Sequence, residues 1–176
     1  MVPRSRALLV LLACLAALTA CGRRVEPSAP LVPGANAVVV RNVDGDTIRA
    51  KVGGREERVR FIGIDTPETH DPRKPVQCFG REAADRTAHL LPPGTPLRLV
   101  RDVEERDRYG RLLAYVYRAR DDLFVNLVLA RDGYAVALTY PPNVAHTAEL
   151  VAAVAEARAE DRGLWAACGG PGLPAP

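Results

Sequence analysis

The stretch from Thr47 to Ile64 constrains this chain more than any other. Ile48, Ala50 and Val52 share one parity, Gly53-Gly54 follows, and Arg55 to Ile64 reads as a strand again, so the segment is a tight hairpin between two strands. Ala37 to Arg41 supplies a third strand just before it. Gly80 to Leu91 then sets Ala83, Ala84, Thr87, Leu90 and Leu91 at helical spacing, and Pro92-Pro93-Gly94 ends that helix. Pro96 to Arg101 and Leu112 to Arg118 read as two more strands. A second helix is expected over Asp122 to Asp132, with acids at its start, Arg131 at its end and Gly133 beyond. A third, over Thr147 to Asp161, aligns Leu150, Val151, Val154 and Ala157 before Trp165. The order βββ-α-ββ-α-α predicts an α+β fold: a five-stranded antiparallel barrel of the OB type with three helices packed on it.

The N-terminus is organised differently. Arg4 and Arg6 precede an apolar run from Ala7 to Leu18, and Leu18-Thr19-Ala20-Cys21 follows, which reads as a signal peptide over residues 1–20. The run is too short to cross a bilayer, which takes about 20 residues. Cys directly after Leu-Thr-Ala resembles the lipobox of bacterial lipoproteins. That resemblance implies lipidation of Cys21, attachment to a membrane and a place in the cell envelope facing an extracytoplasmic compartment, with release to the exterior as a further outcome; an ordinary signal peptide is the alternative. Residues 21–35, rich in Pro, Gly, Ala and Ser, read as a flexible tether, residues 36–168 as one domain, and residues 169–176 as a disordered tail.

Of 176 residues, 24 are Lys or Arg and 21 are Asp or Glu. Arg4 and Arg6 leave with the signal peptide, so the mature chain is close to neutral, and any polyanion site must come from local clustering. The candidates are Arg55, Arg58 and Arg60; Arg73 and Lys74; and Arg106, Arg108 and Arg111. Outside the N-terminal segment only Cys78 and Cys168 remain. In an oxidising compartment an isolated pair reads as one disulfide, two free thiols being the alternative.

Three segments carry chemistry. Asp44-Gly45-Asp46-Thr47 ends a strand at a turn and offers two carboxylates, although Asp-Gly is also an ordinary hairpin pair. Arg60-Phe61-Ile62-Gly63-Ile64-Asp65-Thr66-Pro67-Glu68 delivers Asp65 and Glu68 to one end of the sheet, with Arg60 on the parity of Ile62 and Ile64, an odd place for a cation unless an anion meets it. Asp107-Arg108-Tyr109-Gly110-Arg111 is a polar turn leading into a strand. Oxygen ligands from Asp46 and Asp65 suit a hard cation such as Ca²⁺. The sequence has no Cys/His cluster of the kind that holds zinc.

Together, Asp44 to Thr47, Arg60, Asp65 to Glu68, Gly80 to Ala83 and Asp107 to Arg111 resemble, in order and spacing, the thermonuclease (staphylococcal-nuclease-like) family over Val38 to Trp165. The resemblance implies Ca²⁺ held by the Asp46 and Asp65 carboxylates and the Thr66 main-chain carbonyl, with Arg60 and Arg111 clamping the scissile phosphate. Glu68 would be the general base or would position the attacking water. Arg108, Tyr109 and Tyr140 are candidates for substrate contact, with ordinary packing as the alternative for each tyrosine. The implied activity is endonucleolytic hydrolysis of DNA and RNA by a monomer, with low sequence specificity and 3′-phosphate products. A departure from the family's pattern is Leu138 and Pro141 where a second tyrosine and a lysine flank the Tyr140 position. The prototype also lacks cysteines. The rival is a catalytically silent OB module that binds nucleic acid without cutting it.

Overall fold

The computed structural model describes residues 32–69 and 75–175. The expected signal peptide, the lipidation site at Cys21, most of the tether, and the Arg73 and Lys74 cluster lie outside the described residues.

The three-strand start is present. Strands β1 (Ala37–Asp44), β2 (Thr47–Val52) and β3 (Arg55–Phe61) form an antiparallel meander. Gly53 and Gly54 both have positive φ, 55° and 84°, as a two-residue turn matched to the strand twist requires. β4 (Gly63–Asp65) and α1 (Gly80–Leu90) come next, then β5 (Pro96–Val100) and β6 (Leu112–Arg118). β1 pairs with β5, β5 with β6, and β6 runs parallel to β3, so five strands close into a barrel with no free edge between them. Ile48, Ala50, Val59, Phe61, Leu97, Ala114 and Val116 point inward and are buried. This is the expected α+β OB architecture.

Several boundaries differ for identifiable reasons. The strand expected to run to Ile64 breaks at Ile62, whose N–H donates to Ala114 O and whose carbonyl accepts from the Asn126 side chain. Gly63–Asp65 then pairs with β8 (Val136–Leu138) outside the barrel. The second helix, α2 (Val125–Arg131), starts later than expected. Asp121 and Asp122 are taken by Arg118 and Arg98, and β7 (Leu123–Phe124) pairs with β6 before the helix begins. α3 (Thr147–Ala159) buries Leu150, Ala153 and Ala157 and leaves Val151 exposed. A further short helix, α4 (Leu164–Cys168), was not expected.

Asn126 is the polar keystone of the core. Fully buried, it accepts from Val116 N–H at 2.9 Å and donates to Ile62 O at 2.8 Å, tying α2 to the strand break that releases β4. Cys78 and Cys168 form a disulfide, with Cα atoms 6.1 Å apart. That bond brings the tail alongside the segment before α1. Cys78 N–H donates to Leu173 O and Ala175 N–H to Val76 O, so residues 173–175, expected to be disordered, are hydrogen-bonded to residues 76–78.

Candidate active site

The site is assembled where β1, β2, β3 and β4 meet. Gly45 makes the β1–β2 turn pass so close to Thr66 that a Cβ there would lie 2.7 Å from Thr66 Oγ1, which only glycine permits. That contact brings the two acidic segments, twenty residues apart in sequence, into register. Asp46 is buried; its Oδ2 accepts from Thr66 N–H at 3.0 Å and its Oδ1 from the Thr47 hydroxyl at 2.9 Å.

Arg60 crosses between the acids. Its Nη2 lies 3.1 Å from Asp46 Oδ2 and 2.7 Å from Asp65 Oδ1, and its Nη1 donates to the carbonyls of Phe61 and Ile64 at 2.6 and 2.7 Å. The carbonyls freed by the β3–β4 break thus fix the guanidinium. The odd parity of this cation is explained by partners inside the protein: two carboxylates and two main-chain oxygens.

Glu68 is held by its backbone. Its N–H donates to Gln77 Oε1 at 2.8 Å and its carbonyl accepts from Gln77 N–H at 2.9 Å, while its Oε1 accepts from Thr69 N–H. Asp44 faces it. Burial, then a hydrogen bond with Glu68, pushes the Asp44 carboxyl up to about 6. Its Oδ1 also accepts from Gly45 N–H and the Thr69 hydroxyl. Partial burial, aided by Asp46 and Glu68, likewise pushes Asp65 up against the pull of Arg60. Asp44, Asp46, Asp65 and Glu68 thus interact within one acidic cluster that the Arg60 guanidinium enters.

Asp46 Oδ2 and Asp65 Oδ1 both meet Arg60 Nη2, and these side-chain donors are all oxygen, the chemistry that a hard cation takes. Among the described residues no three or more His, Cys, Asp or Glu side chains are grouped so as to hold a metal ion by themselves. The Thr66 hydroxyl is buried without a hydrogen-bond partner.

Arg111 lies just before β6, whose parallel register sets Val59 beside Leu112 and Arg60 beside Leu113, so the chain at Arg111 runs alongside the strand that carries Arg60. Asp107 holds it, accepting from Arg111 Nε at 2.6 Å and from the N–H groups of Arg111 and Tyr109 at 2.9 Å each. Burial alone would raise the Asp107 carboxyl; the side chain and N–H of Arg111 outweigh it and hold the group below its ordinary value. Tyr109 is exposed, with Arg108 donating to its hydroxyl and the guanidiniums of Arg108 and Arg111 near its ring. Tyr140 is also exposed, on a loop that Asn143 ties to the main chain of Glu104, upstream of the Asp107 loop. Both tyrosines are therefore placed as surface groups and neither is core.

Two positioning residues escaped the sequence reading. Gln77 offers no local signal, because its role depends on the chain returning beside Glu68. Asp107 was visible as part of a motif, but its grip on Arg111 was not. Beside Asp65 and Gln77 lies an open cleft of about 260 Å³ between the Thr66-Pro67 segment and Pro171 of the tail.

Fold and site together define a class: a small OB-barrel protein with an arginine-braced acidic centre on one face and a second arginine delivered by a loop. The chain matches the family described as staphylococcal nuclease homologue over residues 58–167. It is 42% identical over 134 residues to a thermonuclease of Staphylococcus intermedius, covering 76% of this chain and 78% of that protein. It is 40% identical to a thermonuclease of Staphylococcus hyicus, covering 72% and 73%, and 38% identical to endonuclease YncB of Bacillus subtilis, covering 76% and 63%. The chain belongs to the staphylococcal nuclease family.

Proposed function

We propose that this protein is a Ca²⁺-dependent endonuclease that hydrolyses DNA and RNA with low sequence specificity and leaves 3′-phosphate ends. The coarse part, a phosphodiester-hydrolysing nuclease, follows from family membership together with the complete set of acids and arginines. The observation that carries the finer reading is Arg60 Nη2 between Asp46 and Asp65, which puts a cationic donor and two metal-suited carboxylates at one point.

Asp46, Asp65 and the Thr66 carbonyl would hold the ion, which supplies charge neutralisation at the phosphate oxygens when bound. The chain's own residues do the rest. Glu68 takes a proton from the attacking water or orients it, and its clamped backbone fixes where that water stands. The water oxygen bonds to phosphorus and the bond to the 5′ oxygen breaks, that oxygen leaving as a hydroxyl with a proton taken from solvent and the phosphate staying on the 3′ side. Arg60 and Arg111 meet the charge that grows on the equatorial oxygens, so they stabilise the transition state more than the ground state. Their forked geometry makes Arg→Lys at either position a costly change.

Single-stranded substrates suit an open barrel face better than a stacked duplex. Exposed Tyr109 and Tyr140, with Arg108 beside the former, support contact with nucleotides near the scissile bond. The readings at the N-terminus, a signal peptide, a lipid on Cys21 and an envelope location for a monomeric enzyme, rest on residues 1–21 and on the Cys78–Cys168 disulfide, which suits an oxidising compartment.

The test is cleavage of single-stranded DNA by the purified protein with Ca²⁺ and with excess chelator, followed by analysis of the product ends. Ca²⁺-dependent cutting to 3′-phosphates is expected. Binding without cutting under both conditions would make the protein a silent OB module.

A further inference from the structure

The outer face of β1, β2 and β3 carries residues in rows, because directly paired residues of antiparallel strands share a face. One row is Asp44, Thr47 and Arg60, which belongs to the site. The next row, two residues along β2 and β3 and three along β1 where the register shifts, is Arg41, Arg49 and Arg58, Arg41 opposite Arg49 and Arg49 opposite Arg58. On β2 and β3 the flanking Ile48, Ala50 and Val59 are buried in the barrel, which turns Arg49 and Arg58 outward, and Arg41 on β1 is itself exposed.

Three guanidiniums directly opposite one another across strands about 4.8 Å apart repel. Their counter-charge is thin. Arg49 pairs with Glu56 at 3.1 Å, the two side chains being 34% and 47% exposed, and Arg49 Nε is buried without a hydrogen-bond partner. The side chains of exposed Arg41 and Arg58 make no hydrogen bond or ion pair among the described residues. The mature chain is nearly neutral, so the row is not a by-product of a generally basic surface. Arg58 also stands one strand repeat, about 6.8 Å, from Arg60 on the same face of β3. That step is comparable with the reach of one extended nucleotide.

We propose that Arg41, Arg49 and Arg58 form a phosphate track that holds the backbone of a single-stranded nucleic acid on one side of the cleavage centre. The inference rests on the nuclease reading for the identity of the polyanion. Guanidiniums on phosphates read no base, so the track adds affinity and direction to the strand without sequence preference. It also makes long substrates better than short ones.

The test compares the wild type with the double variant Arg41→Gln/Arg58→Gln, which leaves the Arg49–Glu56 pair and the whole catalytic centre in place. Substrates are a single strand of about 20 nucleotides, longer than the roughly 4–16 that one OB barrel spans, and a dinucleotide. On the long strand KM should rise on the order of tenfold at low salt with kcat held, and the slope of log KM against log salt should flatten by about 1.4, or 0.7 per lost phosphate contact. Dinucleotide kinetics should not change. An unchanged slope on the long strand, or equal losses on both substrates, would overturn the track. Anisotropy of a labelled strand in chelator reads the same salt slope without turnover, so an inactive wild type would sink the nuclease reading and leave the track still measurable. Loss of binding to anionic phospholipid vesicles with strand binding unaltered would assign the row to a membrane surface and overturn the proposal.

Discussion

Replacing Cys78 and Cys168 by serine removes a cross-link between residues 90 apart in sequence. On the chain-entropy relation a closed loop of that size withholds roughly 15 cal/mol/K from the unfolded chain, or about 4.5 kcal/mol at 25 °C. For a folded unit spanning Leu31–Pro176 the unfolding entropy is roughly 0.3 kcal/mol/K, so the melting temperature should fall by about 15 °C. The barrel should survive at room temperature, because its five strands and its core contain neither cysteine. The disulfide also anchors the tail segment that bridges to Gln77 through Pro174, and the Gln77 side chain and N–H fix Glu68. Turnover should therefore drop along with stability, well below the new melting point and with KM little changed. Calorimetry and steady-state kinetics on the double serine variant measure both. A melting shift under about 3 °C would mean that the loop costs the unfolded chain little entropy, and would refute the calculation. Unchanged kcat would refute the link through Gln77.

Arg60→Ala or Glu68→Ala should lower kcat by orders of magnitude in a folded protein that still binds nucleic acid, and full activity in either would remove that residue from the mechanism. Asp107→Asn should lower kcat/KM on the order of 10²-fold by letting Arg111 swing out of place, read by kinetics with added single-stranded DNA. Asn126→Leu leaves Val116 N–H and Ile62 C=O buried and unpaired, and should cost about 2–5 kcal/mol in denaturant unfolding. The N–H of Ala145, then the Tyr115 hydroxyl, hold the Asp102 carboxyl below its ordinary value, while burial and Asp102 push Tyr115 up to about 12. For a lowered acid the stabilisation is present above its unfolded value and lost as pH falls through the folded one. Acid unfolding of Asp102→Asn below about pH 4 should therefore be less steep than that of the wild type.

What the sequence determined by itself is local. The alternation of Ile48, Ala50 and Val52, the Gly53-Gly54 pair and the helical spacing of Ala83 to Leu90 arise within a few residues, and short-range backbone and burial preferences settle them. The ordered motifs also named Asp46, Arg60, Asp65, Glu68 and Arg111, and the isolated cysteines named their own bond. What only the tertiary structure decided is whatever depends on distant segments meeting. The β3–β6 closure, the break at Ile62 and the pairing of β4 with β8 are set by Asn126 and by strands far along the chain. So are the bracing of Arg60 between Asp46 and Asp65, the clamp of Gln77 on Glu68, and the alignment of Arg41, Arg49 and Arg58 in one row. Register and long-range hydrogen bonds leave no mark within a short sequence window, because each half of such a contact is an ordinary residue until the fold supplies the other.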